Sequence, residues 1–136
     1  MTAGKPALTV YIIDDDDSVR GSLSRLMRSC GFEVRAYASP AAFFEDAHPQ
    51  REGVVLLDIT MPGMSGGEVQ ARLGKAGWTL PVIVVSATDN QESRQTAHAL
   101  GASFFLRKPA DDQALLDAIE WVTHTASKSG PPKLGG

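Results

Sequence analysis

Four short apolar runs in this 136-residue chain each lead into side chains able to do chemistry. Val10-Tyr11-Ile12-Ile13 runs into Asp14 and Asp15, and Val54-Val55-Leu56-Leu57 into Asp58. Val82-Ile83-Val84-Val85 ends on Ser86, and Phe104-Phe105-Leu106 ends close to Lys108. Carboxylates gathered at one place raise one another's pKa unless a cation intervenes. A hard divalent ion such as Mg²⁺ suits such oxygen ligands, needs only one or two carboxylates and keeps waters for the rest. Lys108 adds a fixed positive charge and Ser86 a hydroxyl. An ion, an ammonium and a hydroxyl around an aspartate make a receptor for a dianionic phosphoryl group, whose transfer demands positioning and charge neutralisation. Aspartate is also a competent nucleophile, forming an acyl phosphate. The residues thus point to phosphoryl transfer onto a carboxylate.

That chemistry requires elements that bring the strand ends together. Between the apolar runs the spacing changes to helical periods. Val19, Leu23, Leu26, Met27 and Cys30 mark one face of a first helix that Gly31 stops. Phe32 to Tyr37 reads as a shorter strand, and Ser39-Pro40 as a helix cap followed by proline at the first helical position. Phe43, Phe44 and Ala47 continue that helix until His48-Pro49. A turn-rich segment from Thr60 to Gly67 precedes a helix carrying Val69, Leu73 and Ala76. A helix over 91–100 has only Ala97, Ala99 and Leu100 as apolar residues, and a last helix over 111–125 carries Leu115, Ile119 and Val122 on one face. Five β-α units whose strands read as unbroken apolar runs predict a parallel sheet covered by helices on both faces. The expected fold class is α/β, a doubly wound (βα)5 flavodoxin-like fold with strand order 2-1-3-4-5. In such sheets ligands sit beyond the carboxyl ends of the strands.

The length fits one domain, able to bury about two thirds of its unfolded surface. The expected division is an N-terminal tail over 1–7, one domain over 8–125 and a Ser/Gly/Pro/Lys-rich tail or linker over 126–136. The single Cys30 excludes an internal disulfide and a cysteine-based zinc cluster. With no basic-then-apolar leader in Met1-Thr2-Ala3-Gly4-Lys5-Pro6, a reducing, cytoplasmic compartment is expected. No stretch approaches the roughly 18 apolar residues of a membrane span. A formal charge of −3 with scattered Arg and Lys argues against nucleic-acid binding by this chain alone.

Taken together, Ile12-Ile13-Asp14-Asp15-Asp16, Leu56-Leu57-Asp58-Ile59-Thr60-Met61-Pro62-Gly63-Met64-Ser65-Gly66, Val85-Ser86-Ala87 and Phe105-Leu106-Arg107-Lys108-Pro109 resemble the CheY-like receiver domain of response regulators, and more narrowly its FixJ-type members. The resemblance covers about residues 8–125. It implies that Asp58 is the phosphoacceptor. Asp15 and Asp58 would bind Mg²⁺ directly with the backbone carbonyl of Thr60, and Asp14 through a water. Lys108 would pair with the acceptor and then with the phosphoryl oxygens. Ser86 would swing toward that group, and Phe105 would follow inward as the switch aromatic. The Lys108-Pro109 bond would be cis. Thr60 and Thr88, each two residues beyond a site residue, would tune dephosphorylation. Two residues depart from the commoner pattern: Ser86 stands for threonine, and Phe105 for tyrosine. The implied donor is a sensor histidine kinase or a histidine phosphotransfer protein, with small acyl phosphates as substitutes. The output partner is unnamed, and a phosphorylation-dependent homodimer is compatible with the resemblance. The chain would be a signalling switch and no enzyme beyond its own phosphorylation and dephosphorylation. It is expected to stand alone, or to form the receiver part of a transcriptional regulator.

Several residues have plainer readings. Asp16 and Asp17 suit a helix N-terminus through the dipole. Cys30 reads as core, His48, His98 and His124 as surface, and Met61, Pro62 and Gly66 as shaping the loop beside Asp58. Two other functions compete. A haloacid-dehalogenase-like phosphatase would use Asp14 of Asp14-Asp15-Asp16 as nucleophile, but leaves Asp58 without a role and lacks an acidic pair ending a strand, since Asp111-Asp112 begins a helix. A phosphorylation-independent pseudo-receiver would have lost one of the acidic, acceptor or lysine positions, and this sequence keeps them all. The helix over 91–100 has little apolar surface to hold it, so phosphorylation is expected to remodel the surface made by it, the last strand and the last helix.

Overall fold

A computed structural model describes residues 8–46, 53–60, 66–75, 77 and 80–126. The expectations for Ala47, His48, the Met61–Ser65 segment, Ala76 and residues 1–7 and 127–136 lie outside these residues, while Ala126, expected to open the tail, is the last residue of a helix. Five strands, β1 (Thr9–Ile13), β2 (Glu33–Tyr37), β3 (Gly53–Asp58), β4 (Val82–Ser86) and β5 (Phe104–Arg107), alternate with five helices. The helices are α1 (Asp17–Ser29), α2 (Pro40–Asp46), α3 (Gly66–Lys75), α4 (Gln91–Leu100) and α5 (Asp112–Ala126). All strand pairs are parallel, in the order β2-β1-β3-β4-β5. The fold class and strand order are those expected from the sequence.

Strand periodicity divides the interior into two layers. Tyr11, Ile13, Val55, Leu57, Val82 and Val84 pack with Phe43, Val69, Leu73, Ala97 and Leu100, beneath α2, α3 and α4. The alternate residues Val10, Ile12, Val54, Leu56, Ile83 and Val85 pack with Met27, Leu115, Ile119 and Val122, beneath α1 and α5. Every residue of β1, β3 and β4 is buried, which is why those strands read as continuous apolar runs. The edge strands β2 and β5 keep exposed positions. On β5 the outward Phe104 is 36% exposed and meets Trp121 of α5 edge to face, while Phe105 turns to the α4 side.

The helix ends follow local chemistry. Asp16 is the N-cap of α1, its carboxylate accepting from the Val19 N–H at 3.1 Å, so its plainer reading holds. Asp17 pairs with Arg20. Ser39 Oγ accepts from the Ala42 N–H at the start of α2. Asn90 and Ser93 form a capping box on α4, and Gly101 ends that helix at φ 74°, a conformation that favours glycine. Cys30 corrects an expectation: it is exposed. The helix stops at Ser29 with Cys30 as its C-cap, and it buries Ser24 and Met27. The stripe of Val19, Leu23, Leu26 and Cys30 therefore runs along the margin of the buried face, and Cys30 falls outside it. His98 and His124 are exposed, as expected. Among the described residues, no helix is long and apolar enough to cross a membrane.

Candidate functional site

The carboxyl ends of β1, β3, β4 and β5 meet because the sheet is parallel and in register. Ile13 lies beside Leu57, Asp58 beside Val85, and Ser86 beside Arg107. One step beyond β1, the Asp14 N–H continues the ladder by donating to the Tyr37 carbonyl at 3.0 Å. The Lys108 N–H does the same at β5, donating to the Ser86 carbonyl at 2.7 Å. The site is therefore an extension of the sheet's own hydrogen bonding.

At its centre Lys108 bridges two carboxylates. Nζ lies 2.8 Å from Asp14 Oδ2 and 3.3 Å from Asp58 Oδ2. Both carboxylates are about as buried as core leucines, with side chains 3% exposed. Their remaining oxygens are also engaged. Asp14 Oδ1 accepts from the Asp16 N–H at 2.9 Å, and Asp58 Oδ1 accepts from the Thr60 N–H at 2.9 Å and from the Thr60 hydroxyl. Arg20 closes the loop between β1 and α1 by donating from Nη1 to the Asp14 carbonyl at 2.7 Å.

Charge and burial pull against each other here. Burial pushes the Asp14 carboxyl above the ordinary aspartate value, opposed by the Lys108 ammonium and the Asp16 N–H, with the negative Asp58 adding to the rise. For Lys108, burial disfavours the charge, but the hydrogen bond to Asp14 and the two carboxylate charges outweigh it and hold the ammonium above its usual value. Lys108 is the fixed cation of the site.

Asp14, Asp15 and Asp58 each offer an oxygen, and these three atoms lie within 4.8 Å of one another. Asp15 is exposed, so its carboxylate faces solvent at the mouth while the other two line the floor. A set of hard, anionic oxygens open to water on one side fits a hydrated divalent ion of the Mg²⁺ type. It does not fit a soft-ligand metal, since among the described residues no thiol or imidazole accompanies it.

Ser86 is fully buried at the end of β4. Its hydroxyl accepts from the Thr88 N–H at 3.2 Å and lies 3.5 Å from the Thr88 hydroxyl, so these two predicted residues stand side by side. Phe105 is half-buried against the layer under α4, with its ring centroid 4.6 Å from the Arg94 guanidinium carbon. The Lys108-Pro109 peptide is cis, as the resemblance implied.

Some contacts were not legible beforehand. The sequence reading paired Lys108 with Asp58, but its shorter contact is to Asp14, 94 residues away, and no local spacing could have announced it. Thr60 was expected to offer its carbonyl; what the structure shows is its N–H and hydroxyl donating to Asp58 Oδ1. Arg20 and Arg94 were missed because each acts across a helix start, at offsets that helical periodicity does not mark. Asp111 accepts from the N–H groups of Gln113 and Ala114, and so serves as a helix cap, in keeping with the objection to a second acidic motif there.

Residues 10–120 match the family model described as the response regulator receiver domain. The chain is 40% identical over 124 residues to the transcriptional regulatory protein FixJ of Azorhizobium caulinodans, covering 91% of this chain and 59% of that protein. It spans little more than half the length of the curated relatives it matches. Among solved structures, a response regulator receiver protein from Burkholderia phymatum is 40% identical with a TM-score of 0.72, covering 86% of this chain and 95% of that one. The chemotaxis protein CheY4 of Vibrio cholerae is 27% identical with a TM-score of 0.76, covering 86% and 99%.

Proposed function

This chain belongs to the response regulator receiver family of two-component systems, and on that premise we propose that Asp58 accepts a phosphoryl group and thereby switches the surface of α4, β5 and α5. The observation that carries this reading is the Lys108 bridge: one ammonium held between Asp14 and Asp58 at the sheet's carboxyl edge. A buried lysine there gives Asp58 a counter-charge before reaction and gives an incoming phosphoryl group the same counter-charge afterwards.

The donor is a phosphohistidine on a sensor kinase or a phosphotransfer protein, with small acyl phosphates as substitutes. A carboxylate oxygen of Asp58 forms the new O–P bond as the donor's N–P bond breaks. The imidazole leaves with the electron pair. Asp15, Asp58 and the Thr60 carbonyl would hold Mg²⁺ with Asp14 assisting, and the ion would supply neutralisation of charge on the phosphoryl oxygens. Lys108 pairs with those oxygens through the ammonium that now contacts Asp14 and Asp58. Ser86 exchanges its bond to the Thr88 N–H for one to the phosphoryl group. Phe105 follows, since strand alternation places it on the same face of the sheet, in register with Val84 and diagonal to Ser86. Thr60 and Thr88 flank the acceptor and Ser86, where they tune hydrolysis.

The helix that must respond is lightly held. The buried face of α4 consists of Ser93, Ala97 and Leu100. Two arrangements of similar energy are therefore accessible to it. The receiver domain is taken as 8–125, in the cytoplasm. Because FixJ is a transcriptional regulator of greater length, transcriptional control through an attached or separate output protein is the output favoured, and a phosphorylation-dependent homodimer fits the same surface. Acetyl phosphate with Mg²⁺ should add one phosphoryl mass to the wild-type protein and none to D58N or to the wild type in EDTA. Equal uptake by D58N would overturn the reading.

A further inference from the structure

Arg94 projects from the first turn of α4, where the Asn90–Ser93 capping box fixes the backbone. Its guanidinium is gripped in a fork by Asp89, with Nε 2.7 Å from Oδ1 and Nη2 2.9 Å from Oδ2. Two parallel hydrogen bonds fix the plane of the group as well as its position. That plane covers the ring of Phe105 at 4.6 Å. Asp89 lies in the loop from β4 to α4, one residue after Thr88, whose N–H holds the Ser86 hydroxyl at 3.2 Å. A single short loop thus holds both moving parts of the switch. Thr88 holds the hydroxyl, and Asp89 holds the arginine that covers the aromatic ring.

We propose that the Asp89–Arg94 clamp positions Phe105 in the resting arrangement and so sets how readily the site passes to its phosphorylated one. The inference rests on Asp58 being the phosphoacceptor and concerns the regulation of that site. If Ser86 turns to a phosphoryl group, its bond to Thr88 breaks and the loop carrying Asp89 is released. When the ring leaves its place under Arg94, the cation–π contact is lost as well. The clamp therefore stabilises the resting state and has no counterpart in the other, so removing it shifts the population. As a surface ion pair it would count for little, because Arg94 is 60% and Asp89 36% exposed. Its contact with the ring is what couples it to the switch. Together the two contacts are worth roughly three- to tenfold in an equilibrium constant.

The test uses beryllofluoride with Mg²⁺ as a tetrahedral phosphoryl analogue, titrated against the whole chain carrying fluorophenylalanine. R94A and D89N should each tighten apparent beryllofluoride binding by about three- to tenfold. The double variant should gain no more than R94A alone, because the two residues form one device. R94K should fall between, since it keeps the charge but loses the planar fork. In the ligand-free R94A protein, the fluorine resonance of Phe105 should move toward its beryllofluoride-bound position. Unchanged affinity in R94A beside a wild type that binds through Asp58, additive effects of R94A and D89N, or an unmoved Phe105 resonance would each overturn the clamp. Binding that is absent in the wild type, or equal in D58N, would instead overturn the phosphoacceptor reading on which it rests.

Discussion

Replacing Lys108 with alanine removes the only ammonium found between Asp14 and Asp58 among the described residues. The variant leaves two carboxylates, each with a side chain 3% exposed, facing each other without a counter-charge. Breaking one partner out of a fully buried ion pair costs about 3–5 kcal/mol. Lys108 is itself 19% exposed, so water can reach the gap and part of that loss is recovered. A charge-assisted hydrogen bond is worth about 1.5–3 kcal/mol, and the 2.8 Å contact to Asp14 is the stronger of the two here. The expected cost of K108A in EDTA is therefore about 2–3 kcal/mol at neutral pH. In a D14N background the same substitution should cost less than half as much, because one of the two stranded charges is gone. Mg²⁺ would draw on the same carboxylates as the ammonium, so K108A should also bind Mg²⁺ more tightly and gain more stability from it than the wild type. Urea denaturation of the four proteins, each with EDTA and with Mg²⁺, measures all of this. A K108A protein within about 0.5 kcal/mol of wild type in EDTA, with equal cost in both backgrounds, would refute the electrostatic reasoning.

Other consequences are as direct. Tyr37 donates to Asp46 at 2.9 Å, and burial, then that carboxylate, push its hydroxyl from 10.0 up to about 12. A raised tyrosine pKa favours the neutral form in the folded state. Its stabilisation is thus fully present below pH 10 and is lost as pH climbs toward about 12. The wild type should lose stability over that interval more steeply than Y37F, as followed by urea midpoints. Exposed Cys30 should be labelled by a maleimide in the native protein without denaturant, and C30A should melt with the wild type. Hydrogen exchange with beryllofluoride and Mg²⁺ should change chiefly in the β4–α4 loop, α4, β5 and α5. Changes confined to α1 and α2 would contradict the assigned output face.

The parts of this molecule that could be read from sequence are those in which one physical demand dominates a run of residues. Val10–Ile13, Val54–Leu57 and Val82–Val85 are buried on both faces, so their composition alone announces central parallel strands and the residues at their ends. β2 and β5 lie at the edges, where Glu33, Arg35, Phe104 and Arg107 need no burial, and their signal is weaker. Cys30 shows a different limit. The apolar period runs on to it, but that stripe lies at the margin of the buried face, where Val19, Leu23 and Leu26 are only partly covered and Cys30, at the helix end, is exposed. The gathering of Asp14, Asp15 and Asp58 followed from strand ends alone. Which oxygen faces which partner did not, because Lys108 reaches back across 94 residues to Asp14, and Arg94 meets Phe105 only through packing of α4 on β5.

The central claim is that Asp58 carries the phosphoryl group. An acyl phosphate can be trapped by borohydride, which reduces the modified side chain to an alcohol and leaves free carboxylates untouched. After acetyl phosphate and Mg²⁺, peptide mapping of the reduced protein should place the altered residue at Asp58, with no such peptide in D58N or without Mg²⁺. Reduction mapped instead to Asp14, or retained at wild-type level in D58N, would contradict the account.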